Sequence, residues 1–183
     1  MIWAQPQQDA TDDGDLADRW VELREEEITP VLLGKNEKRI RAHIKDKSWT
    51  KAARLLQSDD PSLRFLRAWL YAQGEKWTEV LTSLQGLEKH SVLSDEVYAL
   101  TAEAAEALKD HKLAASSGEE VSRVDLSLWR ETLRVRGLAL RGLERWDDAT
   151  KIYLTLLESP SEKDRSLARL GLGMTALERG RPE

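Results

Sequence analysis

Apolar residues recur at intervals of three and four along residues 126 to 159, which predicts two helices joined by a tight turn. The first stripe contains large side chains around one glycine: Leu126, Trp129, Leu133, Gly137 and Leu140. The second stripe begins with a tryptophan and includes one alanine: Trp146, Ala149, Tyr153, Leu156 and Leu157. Pro160 ends the second helix. This pattern is typical of an αα-hairpin in which large residues face a seam of small ones.

The same unit recurs along the chain with a nearly constant period. Small residues occur inside the first helix of four units: Ala68, Ala104, Gly137 and Gly171. The intervals between them are 36, 33 and 34 residues. The second helices are predicted to open near a large residue in each unit: Trp49, Trp77, Leu113 and Trp146. Because a period of this length indicates a repeat architecture, the hairpins are expected to stack on one another.

These residues resemble the tetratricopeptide repeat (TPR) family, whose period is about 34 residues. Six positions of the best unit match the family in type and spacing: Leu133, Gly137, Leu140, Ala149, Tyr153 and Leu156. Two positions depart from the pattern, since Arg64 replaces an apolar residue and Pro160 falls one residue early. The resemblance covers about residues 37 to 183. It implies an all-α fold, an α-solenoid of TPR-like helical hairpins in a right-handed superhelical stack.

Polar residues predict the limits of the domain and of several helices. Residues 1 to 15 are predicted to be a disordered acidic lead-in, and residues 16 to 183 the TPR-like solenoid. Helix starts are expected at Asp60-Pro61, Ser94 and Ser161. An early helical stripe is also predicted, at Leu16, Trp20, Leu23 and Ile28. A short or kinked helix is expected around Ser116, Ser117 and Gly118, because serine and glycine cost helix stability. Residues 179 to 183 resemble a turn that begins another helix, so we expect an array cut within a repeat of a longer protein.

Composition excludes several classes of protein. The formal net charge of -5 argues against general nucleic-acid binding, which needs a basic surface. No run approaches the roughly 20 apolar residues of a membrane span, so a membrane-spanning protein is not expected. The chain has no cysteine, which excludes disulfides and thiolate metal sites. Four of its seven tryptophans lie at repeat positions and are expected to pack between helices: Trp49, Trp77, Trp129 and Trp146.

No arrangement of residues indicates catalysis, a cofactor or a metal. His43, His90 and His111 are far apart and lie beside lysines or at helix ends. Gly171-Leu172-Gly173 lacks the third glycine and the preceding strand of a dinucleotide-binding motif. The sequence therefore predicts a non-enzymatic protein whose partner is another protein or a peptide.

A narrower resemblance concerns residues 32 to 56, LLGKNEKRIRAHIKDKSWTKAARLL, together with the irregular hairpins that follow. They are similar to the helical N-terminal region of soluble lytic murein transglycosylases, periplasmic enzymes that cleave peptidoglycan. The catalytic Glu-Ser of that family lies in a later domain, and Glu158-Ser159 lacks the motif that should follow it. This resemblance implies a non-catalytic part of such an enzyme, with peptidoglycan or cell-wall enzymes as partners. It favours the periplasm or cell envelope over the cytoplasm.

If the helices stack as in the TPR family, the first helix of each hairpin lines a concave surface. Registering each repeat on its small residue places seven side chains there: Phe65, Trp69, Tyr98, Thr101, Arg134, Arg141 and Arg165. Arginines suit the carboxylates of a peptide or an anionic glycan, and exposed rings suit sugars or apolar side chains. The alternative is that the two rings of the first repeat are core residues and the arginines a solvated face. We predict that replacing Arg134 and Arg141 together by glutamate weakens binding and leaves helicity unchanged.

Overall fold

The computed structural model describes residues 34–89 and 94–180, and within these ranges it consists of helices and connecting turns without a strand. The all-α class predicted from the sequence is therefore confirmed for this part of the chain. The α-helices of these ranges are α1 (Glu37–Lys45), α2 (Trp49–Leu55), α3 (Pro61–Gln73), α4 (Trp77–Leu84), α5 (Ser94–Ala107), α6 (His111–Glu120), α7 (Leu126–Gly142), α8 (Trp146–Leu157) and α9 (Glu162–Arg179). Short 3-10 turns occupy Gly34–Asn36 and Leu87–Lys89. The predicted acidic lead-in and the stripe of residues 16 to 33 lie outside the described residues.

Side-chain caps fix the starts of the helices that the sequence predicted. The Asp60 carboxylate accepts hydrogen bonds from the backbone N–H groups of Ser62 and Leu63, at 3.0 and 3.1 Å. The Ser161 hydroxyl accepts one from the backbone N–H of Asp164. These bonds satisfy donors that have no partner inside the helix. Local polar chemistry therefore explains where α3 and α9 begin.

One turn geometry joins the two helices of all four hairpins. A residue in the left-handed region lies two positions before each second helix, at Lys47, Glu75, Lys109 and Glu144, with φ between 52° and 63°. The residue after the left-handed one closes the turn, because its backbone N–H donates a hydrogen bond to the carbonyl oxygen five residues earlier in the chain. The four bonds are Ser48 to His43, Lys76 to Tyr71, Asp110 to Ala105 and Arg145 to Leu140, at 2.7–2.9 Å. This is the Schellman type of helix ending, repeated in each described hairpin.

The sequence prediction for the second helices is confirmed at three of four openings. Trp49, Trp77 and Trp146 begin α2, α4 and α8, whereas α6 begins at His111, two residues before the predicted Leu113. The serines and glycine predicted to shorten or kink this helix lie within α6, which runs without interruption for 10 residues. It is longer than the second helices α2 and α4, with 7 and 8 residues, and shorter than α8, with 12, so the prediction of a weak helix is wrong. Gly118 is buried there, against the side chains of Thr132 and Arg136.

Each described helix packs on the helix that follows it in the chain. A second set of contacts joins the first helices of successive hairpins, α3 with α5, α5 with α7 and α7 with α9. The buried apolar residues form two groups that meet within α5, since Ala104 belongs to the first and Ala105 to the second. All four small residues of the repeat are buried, as a close seam between helices requires. Burial of this apolar surface is the main favourable term in the folding of such a chain.

Candidate partner-binding surface

The seven side chains predicted for the concave surface lie on four helices that pack side by side. Phe65 and Trp69 belong to α3, Tyr98 and Thr101 to α5, Arg134 and Arg141 to α7, and Arg165 to α9. Of these helices, α5 contacts both α3 and α7, and α7 contacts α9. The surroundings of the seven side chains nevertheless differ strongly.

Phe65 and Trp69 are core residues in this structure, with 2% and 7% of their surface exposed. The Trp69 ring meets the Trp49 ring edge to face, with centroids 6.0 Å apart and an interplanar angle of 80°. This arrangement is favourable for two aromatic quadrupoles. Contrary to the prediction from the sequence, these two rings therefore do not line an open groove. The reason is that α2, α4 and α5 all contact α3 and cover it on several sides.

Tyr98 and Thr101 on α5 are partly exposed. Leu108, which follows α5 and lies seven residues after Thr101, is 44% exposed and extends the same helical face. Sequence registration missed Leu108 although the seven-residue spacing could have identified it. This face of α5 therefore offers a phenol, a hydroxyl and an aliphatic side chain to a partner.

Arg134 on α7 is also partly exposed, and its guanidinium lies 3.6 Å from the Glu131 carboxylate one turn earlier. Ion pairs of this kind contribute little, because both groups stay in contact with water. Arg134 occupies the position of Thr101 one repeat later, 33 residues on, the same interval that separates Ala104 from Gly137. Of the three predicted arginines, Arg134 is therefore the one best placed to pair with a carboxylate of a partner.

Arg141 makes a two-pronged ion pair with Glu178 instead of facing a groove. Its Nε donates to Oε2 at 3.0 Å and its Nη2 to Oε1 at 2.5 Å. The two side chains are 13% and 28% exposed, so the pair is largely screened from water. The hydrogen bonds that Arg141 donates to the Glu178 carboxylate raise the pKa of Arg141 above its ordinary value. Arg141 thus connects α7 to α9 and belongs to the packing between hairpins.

The Tyr153 ring lies beside this ion pair and fills the seam of the two glycines. A Cβ added to Gly137 would lie 2.7 Å from Cε1 and Cζ of the ring, and one added to Gly171 would be closer still. The hydroxyl is buried and makes no hydrogen bond of ordinary geometry. Burial raises the pKa of Tyr153, and the neighbouring Arg141 guanidinium partly opposes this rise. The missing side chains at Gly137 of α7 and Gly171 of α9 therefore leave room for the Tyr153 ring of α8.

Arg165 is held at the start of α9. Its Nη1 donates to the backbone oxygens of Ser159 and Pro160, both at 2.7 Å. Its other nitrogens bind the Glu162 carboxylate at 2.9 and 2.5 Å. These bonds fix the turn between α8 and α9. Arg165 is thus a structural residue of this turn, and the groove prediction does not describe its contacts.

The described histidines, His43 and His111, give no sign of a metal or acid-base centre. His111 Nδ1 lies 2.9 Å from the Glu106 carboxylate, and its ring lies against Gly142, which places it in the packing of a helix start. His90 is outside the described residues. Across residues 34–89 and 94–180 no group of three or more histidine, aspartate or glutamate side chains is suited to a metal ion. Among the helices of the same ranges, none combines the length and apolar character needed to cross a bilayer.

Comparisons of the chain with protein-family models, curated proteins and solved structures found no match. Leu138 lies one turn after Arg134 on α7 and is also partly exposed. We define the α5–α7 face by these four partly exposed residues and the exposed Leu108: Tyr98, Thr101, Leu108, Arg134 and Leu138. It combines apolar area with one loosely paired cation, which suits an extended peptide with an acidic and an apolar side chain.

Proposed function

We propose that the chain is a non-catalytic interaction scaffold of TPR-like repeats that binds an extended peptide along its first helices. The main support is the contact pattern, in which α5 packs on α3 and α7, and α7 packs on α9. In repeat proteins each unit contacts its neighbours, and the aligned first helices form a continuous surface. The repeated hairpin turn supports the same interpretation, because a single local geometry recurs at the same place in each unit.

The proposed binding region is the α5–α7 face. The rings of α3 are unsuitable because they are buried, and Arg141 and Arg165 are engaged in ion pairs and turn contacts. Arg134 keeps only a loose pair at 3.6 Å and can exchange it for a carboxylate of the peptide. Tyr98 and Leu108 supply apolar contacts on the neighbouring helix. Aromatic and arginine side chains of this kind commonly provide most of the binding free energy of an interface.

Selection from a displayed peptide library against the full 183-residue chain tests this proposal. We expect the selected peptides to share an acidic and an apolar residue. Arg134→Glu should weaken their binding at least tenfold, equivalent to about 1.4 kcal/mol, because attraction is replaced by repulsion. Arg54→Glu is the matched control, since Arg54 is an exposed arginine of the second helix α2. It should change the affinity by less than about twofold.

Tyr98→Ala provides a second variant with no change of charge. We expect it to weaken the same peptides without altering the far-ultraviolet circular dichroism. If neither Arg134→Glu nor Tyr98→Ala weakens the binding of the selected peptides, the α5–α7 face is not the binding region. Soluble peptidoglycan fragments are the second probe, because the weaker family resemblance implies a cell-wall glycan. Binding of the fragments at this face, with no selected peptide binding, would contradict a peptide scaffold and favour the cell-wall interpretation.

A further inference from the structure

Glu131 lies one helical turn before Arg134 on α7, so the two side chains are neighbours on one face of the helix. The nearest atoms of the guanidinium and the carboxylate are 3.6 Å apart, which is longer than an N–H···O hydrogen bond. The two side chains are 37% and 38% exposed. The Glu131 carboxylate therefore offsets the charge of Arg134 through space rather than through a direct hydrogen bond.

The other two arginines predicted for the groove have a different kind of acidic partner. Arg141 donates two hydrogen bonds to Glu178, and Arg165 donates two to Glu162. Hydrogen bonds of this kind fix the position of both side chains. The Arg134 side chain is less constrained by its acidic neighbour, so it can turn toward a carboxylate of a bound peptide.

The repeat places Glu131 within the proposed binding region. Glu131 lies 33 residues after Tyr98, and Arg134 lies 33 residues after Thr101, so the two pairs occupy equivalent positions of α5 and α7. These two helices are in contact. A peptide carboxylate that pairs with Arg134 therefore lies close to the negative charge of Glu131. Because like charges repel at such short distances, this second carboxylate lowers the affinity for an acidic peptide.

We propose that Glu131 is a specificity-determining residue of the α5–α7 face, because it competes with the peptide carboxylate for Arg134. This inference rests on the proposed peptide-binding function and defines the class of peptide more closely. Glu131 reduces the gain from one acidic residue and disfavours a run of them, and the formal net charge of -5 acts in the same direction. The expected partner is a mainly apolar peptide with a single acidic residue, which Tyr98 and Leu108 contact through its apolar side chains.

Binding measurements on Glu131→Gln test this role. The probes are a selected peptide with one acidic residue and an analogue in which that residue is replaced by its amide. We expect Glu131→Gln to bind the acidic peptide about two- to fivefold more tightly than the wild type does, the range set by a partly exposed ion pair. The affinity for the amide analogue should stay the same. The gain should also shrink at high salt, because the charges involved are in contact with water.

Two further variants separate a local effect from a general change of charge. Glu120→Gln is the matched control, because Glu120 is an exposed residue at the end of α6 and its loss changes the net charge by the same amount. It should leave both affinities unchanged. In an Arg134→Gln background, Glu131→Gln should no longer strengthen the binding of the acidic peptide, since the group for which it competes is absent. Circular dichroism of each variant confirms that the fold is retained.

The outcomes distinguish this inference from the proposed function. Peptides that depend on Arg134 but bind wild type and Glu131→Gln equally would refute the role of Glu131 and leave the α5–α7 face in place. An equal gain in Glu120→Gln would refute it as well, and so would tighter binding of a polyacidic peptide than of the single-acid peptide to the wild type. If no peptide depends on Arg134 or Tyr98, the proposed function fails, and the role of Glu131 fails with it.

Discussion

The ring of Tyr153 on α8 occupies the space that a side chain on Gly171 of α9 would need. Gly137 on α7 borders the same ring, so one aromatic side chain links three helices from two successive hairpins. Two of the four small residues that reveal the repeat in the sequence are therefore explained by a specific contact with one ring.

The two glycines of α9 should respond in opposite directions to alanine. Gly171→Ala forces a Cβ into the Tyr153 ring and should destabilise the chain by about 1–3 kcal/mol. Gly173→Ala meets no atom and should stabilise the chain by about 0.5–1 kcal/mol, because alanine favours the helix. Urea unfolding of both variants measures the difference. Equal effects of the two substitutions would show that Tyr153 does not require the space at Gly171.

The left-handed turn residues provide a second test. Glu75 has a φ of 54°, a conformation that glycine adopts without the steric cost of a Cβ. Glu75→Gly should therefore stabilise the chain by about 0.5–1 kcal/mol, after the greater flexibility of glycine in the unfolded state is included. Glu79→Gly is the matched control inside α4 and should destabilise by about 1 kcal/mol. Thermal unfolding of the two variants shows whether each substitution raises or lowers the stability of the chain. A loss of stability in Glu75→Gly would contradict the turn geometry.

Local features of the fold could be predicted from the sequence, whereas contacts between distant residues could not. Helical spacing, the Asp60 and Ser161 caps and the tryptophan openings depend on a few adjacent residues, and the structure reproduces them. The tight turn was predicted but its left-handed geometry was not, since none of the left-handed residues is a glycine. The pairing of Arg141 with Glu178 joins residues 37 positions apart, and no short pattern encodes it. This is why the predicted groove included a side chain that packs between hairpins.

The Arg141–Glu178 pair should contribute more than an exposed ion pair does. Its bonds are bidentate and largely screened from water, so we expect a coupling free energy of about 1–2 kcal/mol. A double-mutant cycle of Arg141→Met and Glu178→Gln measures it by chemical unfolding. The cycle for Arg179 and Asp147, an exposed pair that also joins α9 to α8, should give less than about 0.5 kcal/mol. Similar coupling free energies in the two cycles would show that the Arg141–Glu178 pair stabilises the chain no more than an exposed ion pair does.

This contact also changes the design of any groove variant. Arg141→Glu would place a carboxylate beside Glu178 and disturb the packing of α7 on α9. The unchanged helicity predicted from the sequence for the double glutamate variant is therefore not expected. Arg134→Glu alone avoids this complication, because its own pair with Glu131 is loose and exposed.

Glu162 should make stability depend on acid pH. Hydrogen bonds from Arg169 and Arg165 lower the pKa of Glu162 from 4.5 to about 2 in the folded chain. The ion pairs therefore add stability above pH 4.5, and this contribution is lost as the pH falls toward about 2. The stability difference between wild type and Glu162→Gln should shrink across this window and at high salt, since Glu162 is fully exposed. A carboxyl carbon titration with an ordinary midpoint would contradict the ion pairs.

The packing of first helices in a row along the chain is tested most directly by methyl nuclear Overhauser contacts in solution. Selective labelling of isoleucine, leucine and valine methyl groups reports contacts between α3 and α5 through Leu66, Leu70, Val97 and Leu100, which belong to one buried group. It reports contacts between α7 and α9 through Leu133, Leu140 and Leu172, which belong to the other or pack against it. We predict such contacts between helices of adjacent hairpins, with none between α9 and any of α1 to α4. Methyl contacts between α9 and the helices of the first two hairpins would show a closed bundle and contradict the account.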